Sequence, residues 1–269
     1  MLFYSLNPVV TYRVNKNITI LKNYEQMLSY IQTDKQGEFF NVNAFVAYKG
    51  FEFLGWEIKK YYRAEEVAEL NPEHLFVGGV GNVRKRLELL GITNTEELDY
   101  PLELRKYLGR AVWESKLETI IQTPEKWGIF VKPKDLTKQF TGKMIWEHKD
   151  FIGLGSSDFE TPIWCSEPVN FIAEWRCFIR YGQILDIRLY RGAWDAKLEL
   201  SVIQNAVNDF ISAPAAYSLD FGVDEKGTMK LVEVNDGYSL GTYGIAHYDY
   251  ARFLLARWSE LTGTVDYLK

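Results

Sequence analysis

The last hundred residues show a regular order of apolar strands, tight turns and helices, and this order restricts the fold more than any other feature. The pattern predicts strands at 171–181 and 184–190, a helix at 198–211, strands at 216–223 and 229–234, and a final helix carrying Tyr250, Phe253, Leu254 and Trp258. Tight turns join the strands of each pair, and such hairpins require antiparallel pairing. The order β-β-α-β-β-α indicates an α/β (α+β) protein whose helices cover one face of a sheet.

The first half of the chain is less regular. Hydrophobic periodicity predicts helices over 21–31, 64–70, 83–92 and 102–121, and strands over 42–48, 74–77, 127–132 and 144–148. The strand at 74–77 runs through Gly78-Gly79-Val80-Gly81 into a helix, which is typical of an α/β crossover. Because the third glycine of a dinucleotide-binding loop is missing, we interpret this stretch as a tight turn rather than as a cofactor site.

Length, charge and cysteine use exclude several classes of protein. With 269 residues, of which 47% are apolar, the chain suits one large domain or two closely joined small ones. The net charge of −5 argues against a dedicated nucleic-acid binder. Cys165 and Cys177 have no zinc-binding spacing, and the chain has no run of 18 apolar residues and no basic leader. We therefore expect a cytoplasmic protein with buried cysteines and no membrane span.

Three side chains with oxygen donors lie on the last predicted hairpin. Asp220 lies on its first strand, and Glu233 and Asn235 lie on its second strand, which is otherwise apolar. Residues two apart on a strand share a face, so Glu233 and Asn235 point the same way and Asp220 can lie opposite them. Two carboxylates and an amide oxygen on one face suit a Mg²⁺ ion that bridges phosphates. The alternative is a polar strand face exposed to solvent.

A lysine at the end of a predicted strand is a candidate phosphate ligand. Lys132 closes the apolar stretch 127–132 directly before Pro133, and a polar loop with Lys138 and Gly142 follows. A lysine in such a position can act as a clamp on phosphate oxygens. The alternative is a surface lysine whose apolar stem packs against the strand.

Further charged residues surround the first predicted hairpin. Glu167 and Glu174 bracket an apolar segment, and Arg176 shares a strand face with Glu174. An ordinary exposed ion pair would give the same pattern. Arg188 and Arg191 lie on the following strand, and one of them can reach a transferred phosphate or a substrate carboxylate.

Together these residues resemble the ATP-grasp superfamily over about residues 105–269. The most specific part is Asp220, followed thirteen residues later by Glu233 and then by Asn235. Val131-Lys132-Pro133 is similar to the segment that carries the family's nucleotide-clamping lysine, and Glu174-Trp175-Arg176 is similar to its E-x-R strand. One motif departs from the family: residues 134–142 replace the usual glycine-rich loop.

The resemblance implies a fold and a ligand set. Two α+β lobes, about 105–166 and 167–269, would grip ATP, and a smaller pre-ATP-grasp α/β domain would occupy 1–104. Mg²⁺ would bind Asp220, Glu233 and Asn235. The nucleotide contacts implied are Glu167 and Val169 for adenine, Glu174 for ribose, and Lys132, Lys138, Arg176 and, on a helix upstream, Lys116 for the phosphates. The catalytic residues implied are Arg176, Lys132 and Arg191.

The implied activity is ATP- and Mg²⁺-dependent ligation of a carboxylate to an amine (or thiol) through an acylphosphate, on a peptide or a small metabolite. A kinase on the same fold and a nucleotide-binding module without turnover stay open as alternatives. The expected partners are ATP and unidentified carboxylate and amine substrates, in a monomer or homodimer, with nucleic acid disfavoured and no membrane contact. The lysine-rich stretch 134–143 is expected to close over the triphosphate.

Overall fold

The computed structural model describes residues 27–93, 98–134, 140–154 and 160–269. These residues form three β-sheets and five α-helices. The strands are β1 (Leu28–Gln32), β2 (Glu57–Tyr61), β3 (Leu75–Val77), β4 (Val112–Lys116), β5 (Ile129–Pro133), β6 (Lys143–Ile145), β7 (Pro162–Ser166), β8 (Phe171–Arg180), β9 (Gln183–Gly192), β10 (Ala216–Asp224) and β11 (Met229–Asp236). The helices are α1 (Val42–Phe53), α2 (Val80–Leu89), α3 (Leu117–Ile121), α4 (Leu200–Asp209) and α5 (His247–Thr262).

The order predicted for the last hundred residues is confirmed. Strands β8 to β11 form one antiparallel sheet in the order β11-β10-β8-β9. Tyr181 and Gly182 both have positive φ, at 47° and 70°, which suits a two-residue hairpin turn between β8 and β9. Helix α4 buries Ile203 and Ala206 in one core with Leu219 of β10. The helix therefore covers one face of the sheet, and the other face is left for polar side chains.

The first sheet is parallel, with β1 between β2 and β3. The helix predicted over 21–31 is wrong in the part that the structure describes, because residues 28–32 form β1; residues 21–26 lie outside the described residues. The first four side chains of β1 are all buried. A central strand of this kind is apolar on both faces, and over so few residues its spacing does not differ from that of a buried helix.

The strand predicted over 42–48 is also wrong, because these residues begin helix α1. Six of the seven residues are apolar, which fits a strand, but the helical period becomes visible only over the whole of α1. Its buried residues include Ala44, Ala47 and Phe51, which recur every three or four positions. Asn41 caps the helix by accepting a hydrogen bond from the Ala44 amide (3.0 Å).

The long helix predicted over 102–121 is wrong, because the stretch holds three elements: a 3₁₀ helix at Leu102–Tyr107, the strand β4 and the short helix α3. Gly109, which lies between the first two elements, has φ +58°, a conformation that commonly ends a helix. The helix predicted over 64–70 is shortened to a 3₁₀ turn at Ala64–Glu66. The other elements predicted for the first half are confirmed, with shifted ends, as β3, α2, β5 and β6.

The connection 167–170 joins two separately packed sheets. Strand β7 ends at Ser166 in the sheet β4-β7-β5-β6, and β8 begins at Phe171 in the sheet β11-β10-β8-β9. Cys165 belongs to the core of the first sheet, and Cys177 belongs to the core of the second. Both cysteines are free and buried, as predicted. A sheet with its own core therefore lies on either side of this connection, while the exact lobe bounds at 105–166 and 167–269 stay a prediction.

Helix α5 connects the last sheet to the first. Its Phe253 and Trp258 lie in one core cluster with Ile31 and Leu75 of the parallel sheet, and Trp258 Nε1 donates to the Pro72 carbonyl (2.9 Å). The last helix therefore completes the core of the first unit, and the domain boundary at residue 104 stays a prediction. Within the described ranges, the structure contains no helix that could span a membrane.

Helices α1 and α5 are in close contact at Gly50. A Cβ at this position would lie 2.2 Å from the His247 carbonyl oxygen and 2.8 Å from Ala251 Cβ. We expect Gly50→Ala to lower the free energy of unfolding by about 1–3 kcal/mol, as overpacking does, measured by urea denaturation. Gly81→Ala is the control, because nothing lies within 4 Å of a Cβ at Gly81, and it should lose no stability. Equal losses in both variants would contradict the close helix contact.

Candidate active site

The hairpin of β10 and β11 brings the three predicted metal ligands to one face. Asp220 is paired with Glu233, and Ser218 is paired with Asn235. Paired residues of an antiparallel sheet share a face, and so do residues two apart on one strand. The side-chain amide of Asn235 donates to Glu233 Oε1 (3.1 Å). The two carboxylates and the amide therefore lie together, and their role as metal ligands stays a prediction.

A β-bulge in β11 decides which side chains face this site. The register shifts between Asp220 and Phe221, which are paired with Glu233 and Leu231, so Val232 has no residue opposite it. Without the extra residue, Leu231 and Glu233 would share a face. With it, Leu231 is fully buried in one core cluster with Phe221. The bulge therefore lets Glu233 face the site while Leu231 stays in the core.

Arg176 forms a buried ion pair with the first carboxylate. It lies on β8 and is paired in register with Asp220. Its Nε and Nη2 donate to Asp220 Oδ1 (2.9 Å) and Oδ2 (2.6 Å), and the two side chains are 8% and 2% exposed. The guanidinium also lies over the ring of Tyr243, 4.8 Å from its centroid. This fork fixes the carboxylate at the centre of the sheet face.

Burial has opposite effects on the two members of this pair. It lowers the pKa of Arg176, but the attraction of Asp220 outweighs burial and keeps the guanidinium charged. Burial raises the pKa of Asp220 to about 6, although Arg176 opposes the shift. One guanidinium therefore compensates the carboxylate incompletely, and a second cation close to Asp220 would be favourable.

Lys132 reaches the same site from the other sheet. It lies on β5, and its Nζ donates to Glu233 Oε2 (2.9 Å) and to Asp99 Oδ1 (2.6 Å). The ammonium also lies over the ring of Tyr100, 4.6 Å from its centroid. Lys132 therefore links the β5 sheet to the β11 strand across the cleft between the two sheets.

The ammonium of Lys132 and the carboxylate of Glu233 are both charged. Burial lowers the pKa of Lys132, but Glu233, Tyr100 and Asp99 outweigh burial and raise it. Burial raises the pKa of Glu233, but Lys132 and Asn235 outweigh burial and lower it to about 2. The second carboxylate is therefore ionised across the physiological range of pH.

The donor set at this face fits Mg²⁺ bound together with a polyphosphate. In the parts of the chain that the structure describes, no three His, Cys, Asp or Glu side chains form a metal cluster. A metal here would depend on two carboxylates, one amide oxygen and the oxygens of its ligand, which is how Mg²⁺ is commonly bound in phosphate sites. Each carboxylate is paired with a cation, Arg176 or Lys132, that could bind phosphate instead. The residues therefore suit both charges of a magnesium–nucleotide complex.

Two arginines on β9 lie beside this centre. The register pairs Arg188 with Arg176 and Arg191 with Glu174. Glu174 Oε1 accepts from Arg191 (2.7 Å), and Oε2 accepts from the Tyr190 hydroxyl (2.7 Å). Arg191 therefore lies at the predicted ribose position, and Arg188 is the neighbour of the Arg176–Asp220 pair. The catalytic role of Arg191 stays a prediction.

The predicted adenine position lies on the connection between the two sheets. Glu167 is bound to Ala111 twice: its amide donates to the Ala111 carbonyl (3.1 Å), and its Oε2 accepts from the Ala111 amide (2.9 Å). Val169 is half-buried. Because the Glu167 carboxylate is engaged within the protein, the predicted adenine contacts at Glu167 and Val169 would rest on backbone groups.

The two remaining predicted lysines lie outside this cluster. Lys116 does not lie on a helix; it is the last residue of β4, because the helical spacing of 102–121 comes from separate elements. Its side chain is 55% exposed and forms an ion pair with Glu160. Lys138 lies in residues 135–139, which are outside the described residues, as is this part of the predicted lid over 134–143. Contacts of Lys116 and Lys138 with phosphates stay predictions.

Asp99 and Tyr243 belong to the site and were not predicted from the sequence. Tyr243 has φ 44° and stacks on Tyr190 with ring centroids 4.8 Å apart. A left-handed backbone in an aromatic residue is strained and persists only where its surroundings enforce it. The glycine-rich run at 237–244 after Asn235 is a signal that could have identified this segment. Asp99 has no comparable signal, because its contact with Lys132 depends on the tertiary fold.

Comparison with protein families identifies the class. Residues 107–253, more than half of the chain, match the model of an ATP-grasp domain, the second family of its clade. The protein therefore belongs to the ATP-grasp superfamily, as the sequence motifs indicated. No curated protein matches the chain closely enough to indicate a relationship.

Solved structures share the fold at low sequence identity. N5-carboxyaminoimidazole synthetase from Staphylococcus aureus superposes with a TM-score of 0.57 and 10% identity, covering 89% of this chain and 78% of that one. D-alanine–D-alanine ligase from Bacillus anthracis gives 0.54 and 14%, covering 88% and 98%. A RimK-domain ATP-grasp protein from Sphaerobacter thermophilus gives 0.56 and 12%, covering 85% and 99%. The predicted ATP-grasp fold is therefore confirmed.

The ionisation of Asp220 leads to a prediction about stability. Its pKa of about 6 in the folded protein exceeds the ~3.9 of an unfolded aspartate. Its contribution to stability is therefore present below pH 4 and is lost as the pH rises through 6. Relative to wild type, Asp220→Asn should gain about 1–3 kcal/mol in free energy of unfolding between pH 4 and pH 7, measured by urea denaturation without metal. A constant difference would contradict the raised pKa.

Proposed function

We propose that this protein is an ATP- and Mg²⁺-dependent ligase that joins a carboxylate to an amine (or thiol) through an acylphosphate. The proposal is carried by one observation: two carboxylates on one sheet face, Asp220 and Glu233, are each paired with a cation, Arg176 and Lys132. A magnesium–nucleotide complex supplies both a cation and an anion, so it can take over both halves of each pair. Family membership supports ATP as the nucleotide, and two structural neighbours are complexes with ADP and ATP.

The side chains divide the work by charge. Asp220, Glu233 and the Asn235 amide oxygen would hold Mg²⁺, which neutralises charge on the β- and γ-phosphates. Lys132 and Arg176 would turn to the phosphate oxygens, where fixed positive charge stabilises the transferring group without any proton transfer. Glu174, held by Arg191 and Tyr190, would accept hydrogen bonds from the ribose hydroxyls.

The proposed reaction needs no nucleophile from the protein. A substrate carboxylate oxygen attacks the γ-phosphorus, the bond to the β-phosphate oxygen breaks, and ADP leaves. The amine then attacks the acyl carbon and releases inorganic phosphate. Burial raises the pKa of Cys165 to about 12 and also raises that of Cys177, so neither thiol supplies a thiolate at neutral pH. This supports direct transfer between substrates rather than a thioester on the enzyme.

The metal assignment predicts a specific loss in Glu233→Gln. In the wild type, Mg²⁺ should strengthen ATP binding strongly, measured by calorimetry with Mg²⁺ or with EDTA. In the variant, the gain due to Mg²⁺ should fall tenfold or more, as losses in metal sites do, and turnover should cease. Affinity in EDTA should be unchanged or higher, because the variant releases Lys132 from one carboxylate.

Glu225→Gln is the matched control for this measurement. Glu225 lies on the same hairpin, in the exposed turn between β10 and β11, and its carboxylate binds Asn170. We expect wild-type affinity with and without Mg²⁺. A Glu233→Gln variant with the wild-type response to Mg²⁺ would refute the metal site.

Trapping with hydroxylamine tests the reaction class. Hydroxylamine replaces the amine and converts an acylphosphate into a stable hydroxamate. We expect the protein, ATP, Mg²⁺, hydroxylamine and a mixture of amino acids and short peptides to yield ADP, free phosphate and a hydroxamate, detected by mass spectrometry. Glu233→Gln should yield none of these products.

The alternatives give different products in the same assay. A kinase would yield ADP and a phosphorylated acceptor without hydroxamate or free phosphate. A binding module would bind ATP in the calorimeter and leave it intact in the assay. Either result would overturn the ligase proposal while keeping the nucleotide site.

A further inference from the structure

The strand that carries Glu233 is the outermost strand of its sheet. The order β11-β10-β8-β9 leaves one side of β11 without a neighbouring strand in the described residues. The bulge at Val232 lies on this strand, one residue before Glu233. A bulge interrupts the regular hydrogen bonds of a ladder, so the backbone around it needs other partners. The direction of the Glu233 side chain therefore depends on what holds the bulge.

Arg110 holds it. The guanidinium Nη1 donates to the Leu231 carbonyl (2.7 Å), and Nη2 donates to the Val232 carbonyl (3.0 Å). Two parallel donors on two successive carbonyls fix the orientation of the peptide group that precedes Glu233. A planar guanidinium can make both bonds at once, whereas an ammonium on a flexible stem has no such fixed fork.

Arg110 is itself fixed by its surroundings. Its Nη1 also donates to the Leu108 carbonyl (3.1 Å), and its guanidinium lies 5.9 Å from the ring centroid of Phe171. The next residue, Ala111, is bound twice to Glu167 on the connection between the sheets. The chain from Leu108 to Ala111 therefore ties the bulge of β11 to the connection between the two sheets.

A neighbouring contact holds the other side of Glu233. The Val234 amide donates to the Asp99 carbonyl (3.0 Å), and the Asp99 side chain binds Lys132. Backbone groups on both sides of Glu233 are thus bound by the segment 98–111, which leads into β4. Arg110 also lies close enough to Glu233 and Glu174 for their charges to counteract the lowering of its pKa by burial.

We propose that Arg110 is a positioning residue for Glu233: its fork on the Leu231 and Val232 carbonyls sets the bulge that aims this carboxylate at the metal position. The inference rests on the proposed function, because it gives Glu233 the metal. It adds a residue that touches neither metal nor nucleotide and acts through the backbone of β11.

The test uses Arg110→Lys, which keeps the charge and removes the fork. The first measurement is hydrogen–deuterium exchange of the metal-free protein. We expect amides at 231–234 to exchange about tenfold faster, while those of β8 and β9 keep wild-type rates. The second is calorimetry of ATP binding against Mg²⁺ concentration. The Mg²⁺ concentration for half of the full effect should rise about five- to tenfold, and the affinity in EDTA should stay within about twofold, because the charge is kept.

Arg105→Lys is the control, because Arg105 lies on the same segment and is exposed; it should match wild type in both measurements. Unchanged exchange at 231–234, or an unchanged Mg²⁺ requirement, in Arg110→Lys would overturn the proposal. So would faster exchange throughout the sheet with an equal loss of affinity in EDTA, which would indicate a role in general stability. If Arg110→Lys does not fold, Arg110→Gln is measured in the same way, and failure of both to fold also overturns the proposal.

The double variant separates this proposal from the function on which it rests. If Arg110 acts through Glu233, Arg110→Lys should add nothing to the Mg²⁺ requirement of Glu233→Gln. An equal additional shift in the double variant would overturn the positioning role alone. A Glu233→Gln variant with the wild-type Mg²⁺ requirement would instead overturn the metal site, and the positioning proposal with it.

Discussion

The contact of Lys132 with Glu233 is the interaction on which the cleft depends, because it is made between two separately packed sheets. An isolated charge in a cleft this poorly hydrated would cost several kcal/mol, so each charged group there needs a partner of opposite sign. Lys132 obtains Glu233 and Asp99, and Arg176 obtains Asp220. In the absence of ligand, the protein thus supplies its own counter-ions, and these pairs hold the two sheets in register across the site.

Pairing of this kind also sets the terms on which a ligand can enter. A bare anion that drew Lys132 and Arg176 away would leave Glu233 and Asp220 without cations, and a bare metal ion would leave the two cations unpaired. A complex that brings both signs exchanges every pair at once and leaves no buried charge alone. The raised pKa of Asp220 fits this view, because a carboxylate that one arginine compensates incompletely is improved by a second cation.

The sequence specified the last hundred residues well because their information is local. The turn at Tyr181-Gly182 and the alternation in β10 and β11 act over a few residues, and they placed Asp220, Glu233 and Asn235 on one face. The errors came from stretches whose spacing is ambiguous at short range. Residues 42–48 are apolar enough for a strand but continue into α1, and residues 102–121 join a 3₁₀ helix, a strand and a helix whose spacing happens to look continuous.

The parts of the site that the sequence did not reveal are those that act across long separations. Asp99 and Arg110 carry no pattern of their own, and they matter only because the fold lays their segment along the edge of β11. The bulge at Val232 illustrates the same limit. Simple alternation puts Leu231 beside Glu233 on one face, yet Leu231 is fully buried in the core. One extra residue satisfies both, and it requires backbone partners that only a distant arginine provides. The precision of a site built on an edge strand is therefore set by residues outside its motif.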